Sequence, residues 1–327
     1  MLATGAGFGF AMNKGQVHLP SVIQTQMTFE RFTMMKMFVA ALGTSVVAKA
    51  IFRAVNPAAF EAIQKKRASD PSHAAVLAAG GLILGAGMTL SGSCPGSVYV
   101  QLGAGIPSAV PVFLGALVGT LALSLVKPKI TQWQQGKSAV DTTISISSLT
   151  QAVVGVAILA VAATLEFMLP ESTTSPTWLP SAAGVVVGTM QLPLVFVLHK
   201  SLHATASYKI VAGRTVDSAR QLLGCSLSWL HVPFVADLST LIFVVGVVAG
   251  SGLAGAPSDP SMGATPTSPM ALVGGVLLGF GANLASGCTS GHGLSGVALL
   301  MKSSMIVLPC IFAGAMSTAF LARFISN

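Results

Sequence analysis

Two cysteines stand in matched glycine- and serine-rich stretches: Cys94 in "SGSCPG" at 91–96 and Cys288 in "ASGCTSGHG" at 285–293. A thiol is a weak hydrogen-bond donor and a polarizable group. It suits a soft sulfur atom better than a hard oxygen. Ser93, Pro95 and Gly96 flank the first thiol; Gly287, Thr289, Ser290, Gly291 and His292 surround the second. Neither stretch contains lysine or arginine. An anion there is expected to be held by backbone N–H groups, hydroxyls, thiols and dipoles, firmly enough to enter and weakly enough to leave. Pro95 suits the first turn of a new helix. Ser93 is placed to cap it, and Thr289 or Ser290 to cap the segment "GHGLSGVALL". Each cysteine is therefore expected at a broken-helix junction near a helix N-terminus, where free N–H groups and a partial positive charge favour anions.

Irregular backbone between apolar runs is tolerated in lipid only when it is buried in protein or lines a cavity, and the rest of the chain sets that condition. Of 327 residues, 53% are hydrophobic and 8% charged, against about 25% charged in soluble domains; mean hydropathy is +0.78. The class is all-α: a polytopic membrane protein in the cell (plasma or inner) membrane, with lipid as its immediate surroundings. Apolar segments fall at 2–12, 34–52, 74–93, 108–126, 149–169, 181–199, 234–254, 270–287 and 303–323, with short pieces at 95–105, 204–213 and 289–300 that suit half-helices or re-entrant segments. The first segment is too short to span. The net charge of +8 is spread over short loops as membrane topology requires, so it does not argue for nucleic acid. By the positive-inside rule, 53–73, 127–141 and 200–233 face the cytoplasm, and the loops near 170–180 and 255–269 face outside. The four cysteines show no close pairing and no CxxC spacing, so a disulfide framework is not expected. No cleavable signal peptide is evident.

The stretch "GGLILGAGMTLSGSC" at 80–94 aligns without gaps to "GGVLLGFGANLASGC" at 274–288, with seven of fifteen positions identical at an offset of 194 residues. The charge rule runs the two copies in opposite directions across the membrane. The expected organisation is thus a first inverted repeat at 1–140, a linking helix and loop at 141–177, and a second repeat at 178–327, with broken or re-entrant helices. Inverted repeats with broken helices are a transporter signature, with the substrate near the midplane between them.

The paired blocks ending in "SGSCPG" and "ASGCTSGHG" resemble the YeeE/YedE sulphur-transport family over nearly the whole chain. The resemblance implies an inverted-repeat helical fold, thiosulfate as substrate and a relay in which thiols hydrogen-bond sulfur. It carries the relay positions to Cys94 and Cys288. Many bacterial members place another cysteine in a run like "RGxFC"; here "GFAMNKGQVH" puts His18 at that place. Thiosulfate is the favoured substrate, and persulfide, sulfite, sulfide or another small sulfur anion stay open. A cytoplasmic sulfur-accepting protein is a further candidate partner.

Blander roles stand beside these. Free cysteines are often small buried hydrophobes, and for Cys225 and Cys310 packing is the expected role. His292 either caps a helix or lines the path. Asn283, the repeat partner of Thr89, either lines the path or joins helices. His203 and Ser207 belong to a vestibule or a surface turn, and Gln24, Gln26 and Gln191 are polar residues in apolar surroundings. Glu166 and Asp237, near the ends of apolar segments, are expected to snorkel or cap. Two other functions compete with transport. Cys288 and His292 are one turn apart and suit a soft metal, but a full set of three or four ligands is not evident; neither a metal nor a cofactor is expected. An intramembrane sulfur-transfer enzyme is chemically conceivable, yet there is no nucleotide loop, HExxH or nucleophile–base–acid set, so no catalytic residue is assigned.

Overall fold

The computed structural model describes residues 1–68, 72–140, 143–169, 178–201, 204–223, 237–255 and 265–326. Among them are the helices α1 (Leu2–Lys14), α2 (Pro20–Met27), α3 (Thr33–Val55), α4 (Pro57–Arg67), α5 (Ala74–Ser91), α6 (Ser97–Gly103) and α7 (Ala109–Gln134). They continue with α8 (Ser148–Met168), α9 (Pro180–Thr189), α10 (Gln191–Phe196), α11 (Thr205–Leu223), α12 (Ser239–Ala254), α13 (Ser268–Leu284) and α14 (Lys302–Ser326). A π-helical segment, Gly291–Val297, lies between α13 and α14. The fold is all-α and polytopic. Five helices, α3, α5, α7, α8 and α14, are long and apolar enough to cross a bilayer. α12 and α13 are shorter, with 16 and 17 residues.

Local chemistry explains the boundaries. Proline opens α2, α4 and α9, where its missing N–H removes no helical bond. The Asn56 side chain accepts the Ala59 N–H to start α4, and Ser147 accepts that of Thr150 to start α8. α5 stops at Gly92, which takes the left-handed conformation (φ 58°) that glycine adopts without a Cβ penalty. The apolar run 181–199 is two helices. Pro193 cannot donate to the carbonyl of residue 189, and α9 ends there.

The interior is built from pairs that answer one another. α13 packs against α7, and α14 against α5; α1 packs against α12, and α9 against α3; α5 and α13 pack against each other. Glycines set these approaches. A methyl at Gly85 would overlap the Ile311 carbonyl, and one at Gly279 the Ala116 carbonyl. Such contacts let membrane helices close to backbone distance. α8 stands at the outside against α3, with Leu149, Val153, Val156 and Phe167 exposed. That apolar face suits lipid.

Candidate functional site

The first cysteine turn is clamped by its own neighbours. The Ser97 N–H donates to Cys94 Sγ at 3.2 Å, and the Cys94 N–H donates to Ser97 Oγ at 2.7 Å. This is a reciprocal cap of the capping-box kind, with the thiol in the capping position. Ser93, expected as the cap, instead donates to Gln101 Oε1 at 2.6 Å. Gln101, fully buried, donates onward to the carbonyls of Gly92 and His18. From the other side, Tyr208 donates to the Pro95 carbonyl at 2.8 Å, and Tyr99 Oη lies 2.6 Å from Ser207 Oγ. Sequence reasoning weighed Ser207 and left Gln101 and Tyr208 aside.

The second turn is held by His292. Its Nε2 lies 2.9 Å from the Ala285 carbonyl and its Nδ1 3.0 Å from Ser304 Oγ. A carbonyl only accepts, so Nε2 carries the proton, and in the neutral ring Nδ1 then accepts from Ser304. A Cβ at Gly287 would sit 2.7 Å from Nε2, so the ring needs glycine there. Ser286 is left-handed (φ 60°). Cys288 is fully buried, with Sγ 3.3 Å from Ser290 Oγ. The Thr289 hydroxyl points to Met88 Sδ at 3.3 Å. Neither hydroxyl caps the following segment, because each is engaged by sulfur, and that segment is π-helical rather than α-helical, with no side-chain cap. Single-turn π geometry is rare and frequent at functional sites.

The two turns meet. The nearest atoms to a Cβ built at Gly96 are Ser290 Oγ at 3.7 Å and Cys94 Sγ at 4.0 Å. Cys94, Gly96, Ser97, Thr289 and Ser290 share a cavity of about 40 Å³ otherwise lined by apolar side chains, among them Met12, Met34, Met37, Met88 and Phe38. Other residues of the second turn, Ser286 and His292, line another cavity of about 50 Å³ with Arg67, Ser72 and Ser303 beside apolar Leu77, Val140 and Met301. The segment 285–292, with Cys288 inside it, therefore borders two chambers, one apolar and sulfur-rich and one of mixed lining that holds Arg67.

Basic side chains approach the second turn from other helices. Lys49, buried in α3, donates to Gln191 Oε1 at 2.5 Å and to the Leu294 carbonyl at 3.1 Å. Arg67, at the end of α4, donates to the Gly291 carbonyl at 2.5 Å. Desolvation lowers its pKa to about 10, with the Cys288 thiol acting in the opposite sense, so it stays charged at neutral pH. The expectation of a site without lysine or arginine holds for the turns themselves and not for their surroundings. Lys49 had a readable signal: an ionisable residue inside an apolar run is a functional candidate. Arg67 had none, because its place depends on how α4 folds back.

The remaining candidates fall as follows. His18 is fully buried in the connection from α1 to α2, with Nδ1 3.3 Å from the Met12 carbonyl and Nε2 unpartnered. Asn283 donates to Thr120 Oγ1 and Thr89 to the Ala315 carbonyl, so both join helices. Gln24 and Gln26 bond the Thr89 carbonyl and the Met35 N–H. Gln191 belongs to the Lys49 network, donating to Ser45 and to Leu294. Glu166 accepts the Ser181 N–H at the start of α9 and lies 3.6 Å from Lys36. Asp237 lies outside α12 and accepts the Ser239 N–H; Lys200, 2.6 Å away, holds its carboxyl well below the usual range. Cys310 packs against Gly81. Cys225 and His203 lie outside the described residues. Among the described residues, no three of His, Cys, Asp and Glu gather as metal ligands.

Comparison with known proteins places the chain in a family. A family model described as Sulphur transport matches residues 14–317. The chain is 22% identical to the thiosulfate transporter TsuA of Spirochaeta thermophila over 321 residues, covering 93% of each protein. It is 37% identical over 79 residues to a probable transporter of Xylella fastidiosa, a match covering 24% of this chain and 58% of that protein. The chain is a multi-helix integral membrane protein and belongs to the Sulphur transport family.

Proposed function

We propose that this protein carries thiosulfate, or a closely related small sulfur anion, across the cell membrane past Cys94 and Cys288. The observation that carries the reading is that the second turn borders both chambers: Thr289 and Ser290 line the one that holds Cys94, while Ser286 and His292 line the other. An anion entering among the methionines meets Cys94 first. It is handed through the gap at Gly96 to Cys288 and leaves on the Arg67 side, the face the basic loops assign to the cytoplasm. Thiol–sulfur hydrogen bonds hold the soft end, and no covalent bond need form. A cytoplasmic sulfur-accepting protein would collect the anion at that face. The halves 1–140 and 178–327 act as inverted copies, which the answering pairs α13–α7 and α14–α5 support. His18 stands where many family members have another cysteine, so the path here has two thiol steps. Radiolabelled thiosulfate uptake in cells lacking their own sulfur-anion importers tests the reading. Wild type should accumulate label, and Cys94→Ala and Cys288→Ala, at matched membrane levels, should not. Uptake that survives both substitutions would remove the relay.

A further inference from the structure

The chamber beyond Cys288 holds a cation that transport past the two thiols does not use. Arg67 lines it with Ser72, Ser286, His292 and Ser303. The guanidinium bonds a neutral carbonyl, that of Gly291 at 2.5 Å, and approaches Ser201 Oγ at 3.4 Å. Among the described residues no carboxylate pairs with it. A partly buried guanidinium whose described partners are all neutral carries a desolvation penalty that a bound anion would relieve. Its planar fork matches two oxygens of a tetrahedral oxyanion, and a charge-assisted pair is stronger than a bond to a neutral carbonyl. His292 is saturated and neutral, so it adds no competing charge.

We propose that Arg67, with the hydroxyls of Ser286 and Ser303, forms an oxyanion site on the exit side of the second turn, gripping the oxygen end of a sulfur oxyanion whose terminal sulfur faces Cys288. The orientation rests on the transport reading above; the oxyanion site itself does not. The guanidinium exchanges its hold on Gly291 for the anion, which separates recognition into two parts. Arg67 recognises oxygens and cannot tell sulfate from thiosulfate. Cys288 recognises the soft sulfur that sulfate lacks.

The test is binding of radiolabelled thiosulfate and of sulfate to the purified full chain in detergent. It compares wild type, Arg67→Gln, Arg67→Lys, Ser303→Ala and Cys288→Ser, each shown to be monodisperse. Loss of charge-assisted bonds should weaken thiosulfate and sulfate alike by about tenfold or more in Arg67→Gln. Arg67→Lys should keep part of the affinity, Ser303→Ala should weaken both anions more mildly, and Cys288→Ser should weaken thiosulfate alone. Wild-type affinity for both anions in Arg67→Gln would overturn the site. If Arg67→Gln does not stay folded, Arg67→Lys and Ser303→Ala decide, and unchanged affinity in both would equally overturn it. If wild type binds neither anion at millimolar concentration, the site is refuted, and uptake by the same preparation shows separately whether the transport reading stands.

Discussion

Cys94 does not wait in its turn as a loose side chain. The Ser97 N–H fixes its sulfur, and the Ser97 hydroxyl fixes its backbone N–H. Ser97→Ala removes the second bond and leaves the first. A lost cap of this kind typically costs about 1 kcal/mol, so a small drop in unfolding temperature is expected in detergent, together with a severalfold fall in initial uptake rate. Unchanged uptake would show that the Ser97 hydroxyl's hold on the turn does not matter for passage. Gly96→Ala separates folding from passage more sharply. Its methyl would meet Ser290 Oγ and Cys94 Sγ at 3.7 and 4.0 Å, which are ordinary contacts. The variant should fold and unfold like wild type, yet transport poorly, because the methyl occupies the gap between the two turns. Wild-type uptake by Gly96→Ala would place the path elsewhere.

Helices hold these turns in register through glycine. Gly85 faces the Ile311 carbonyl and Gly279 the Ala116 carbonyl, so one kind of approach is made twice, between α5 and α14 and between α13 and α7. Gly85→Val and Gly279→Val should each abolish the folded, monodisperse protein, while Gly252→Ala, whose methyl would lie 3.4 Å from the Gly103 carbonyl, should be tolerated. Size-exclusion profiles after membrane extraction measure this. The long apolar helices and the two glycine-rich blocks were legible in the sequence, because length, hydropathy and repetition are local properties. Other elements were not. α4, within a stretch read as a charged loop, is a helix because Asn56 and Pro57 start it. α2 is too short and too polar to stand out. α11 runs on to Leu223, past the apolar piece at 204–213. The π geometry of 291–297 and the approach of Lys49 and Arg67 to it arise only once α3 and α4 pack against the second turn. Cys94, Cys288 and His292 were legible as candidates; the hydroxyls expected to cap were misassigned, because Gln101 claims Ser93, Cys288 claims Ser290 and the distant Met88 claims Thr289.

Across the whole molecule, charge and symmetry make one claim about orientation. The proposed inversion of the halves requires the basic loops to share one side and the loop before α13 to lie on the other. A cysteine introduced for Lys137 should react with a membrane-impermeant maleimide only from the cytoplasmic side. One introduced for Thr265 should react only from outside. Labelling of both from the same side would contradict inversion.

Reconstitution leaves only this chain and lipid. Radiolabelled thiosulfate uptake into proteoliposomes should be rapid and saturable for wild type and should fall to the level of empty liposomes for Cys94→Ala and for Cys288→Ala. Uptake by either variant at the wild-type rate would contradict a path that runs through both turns.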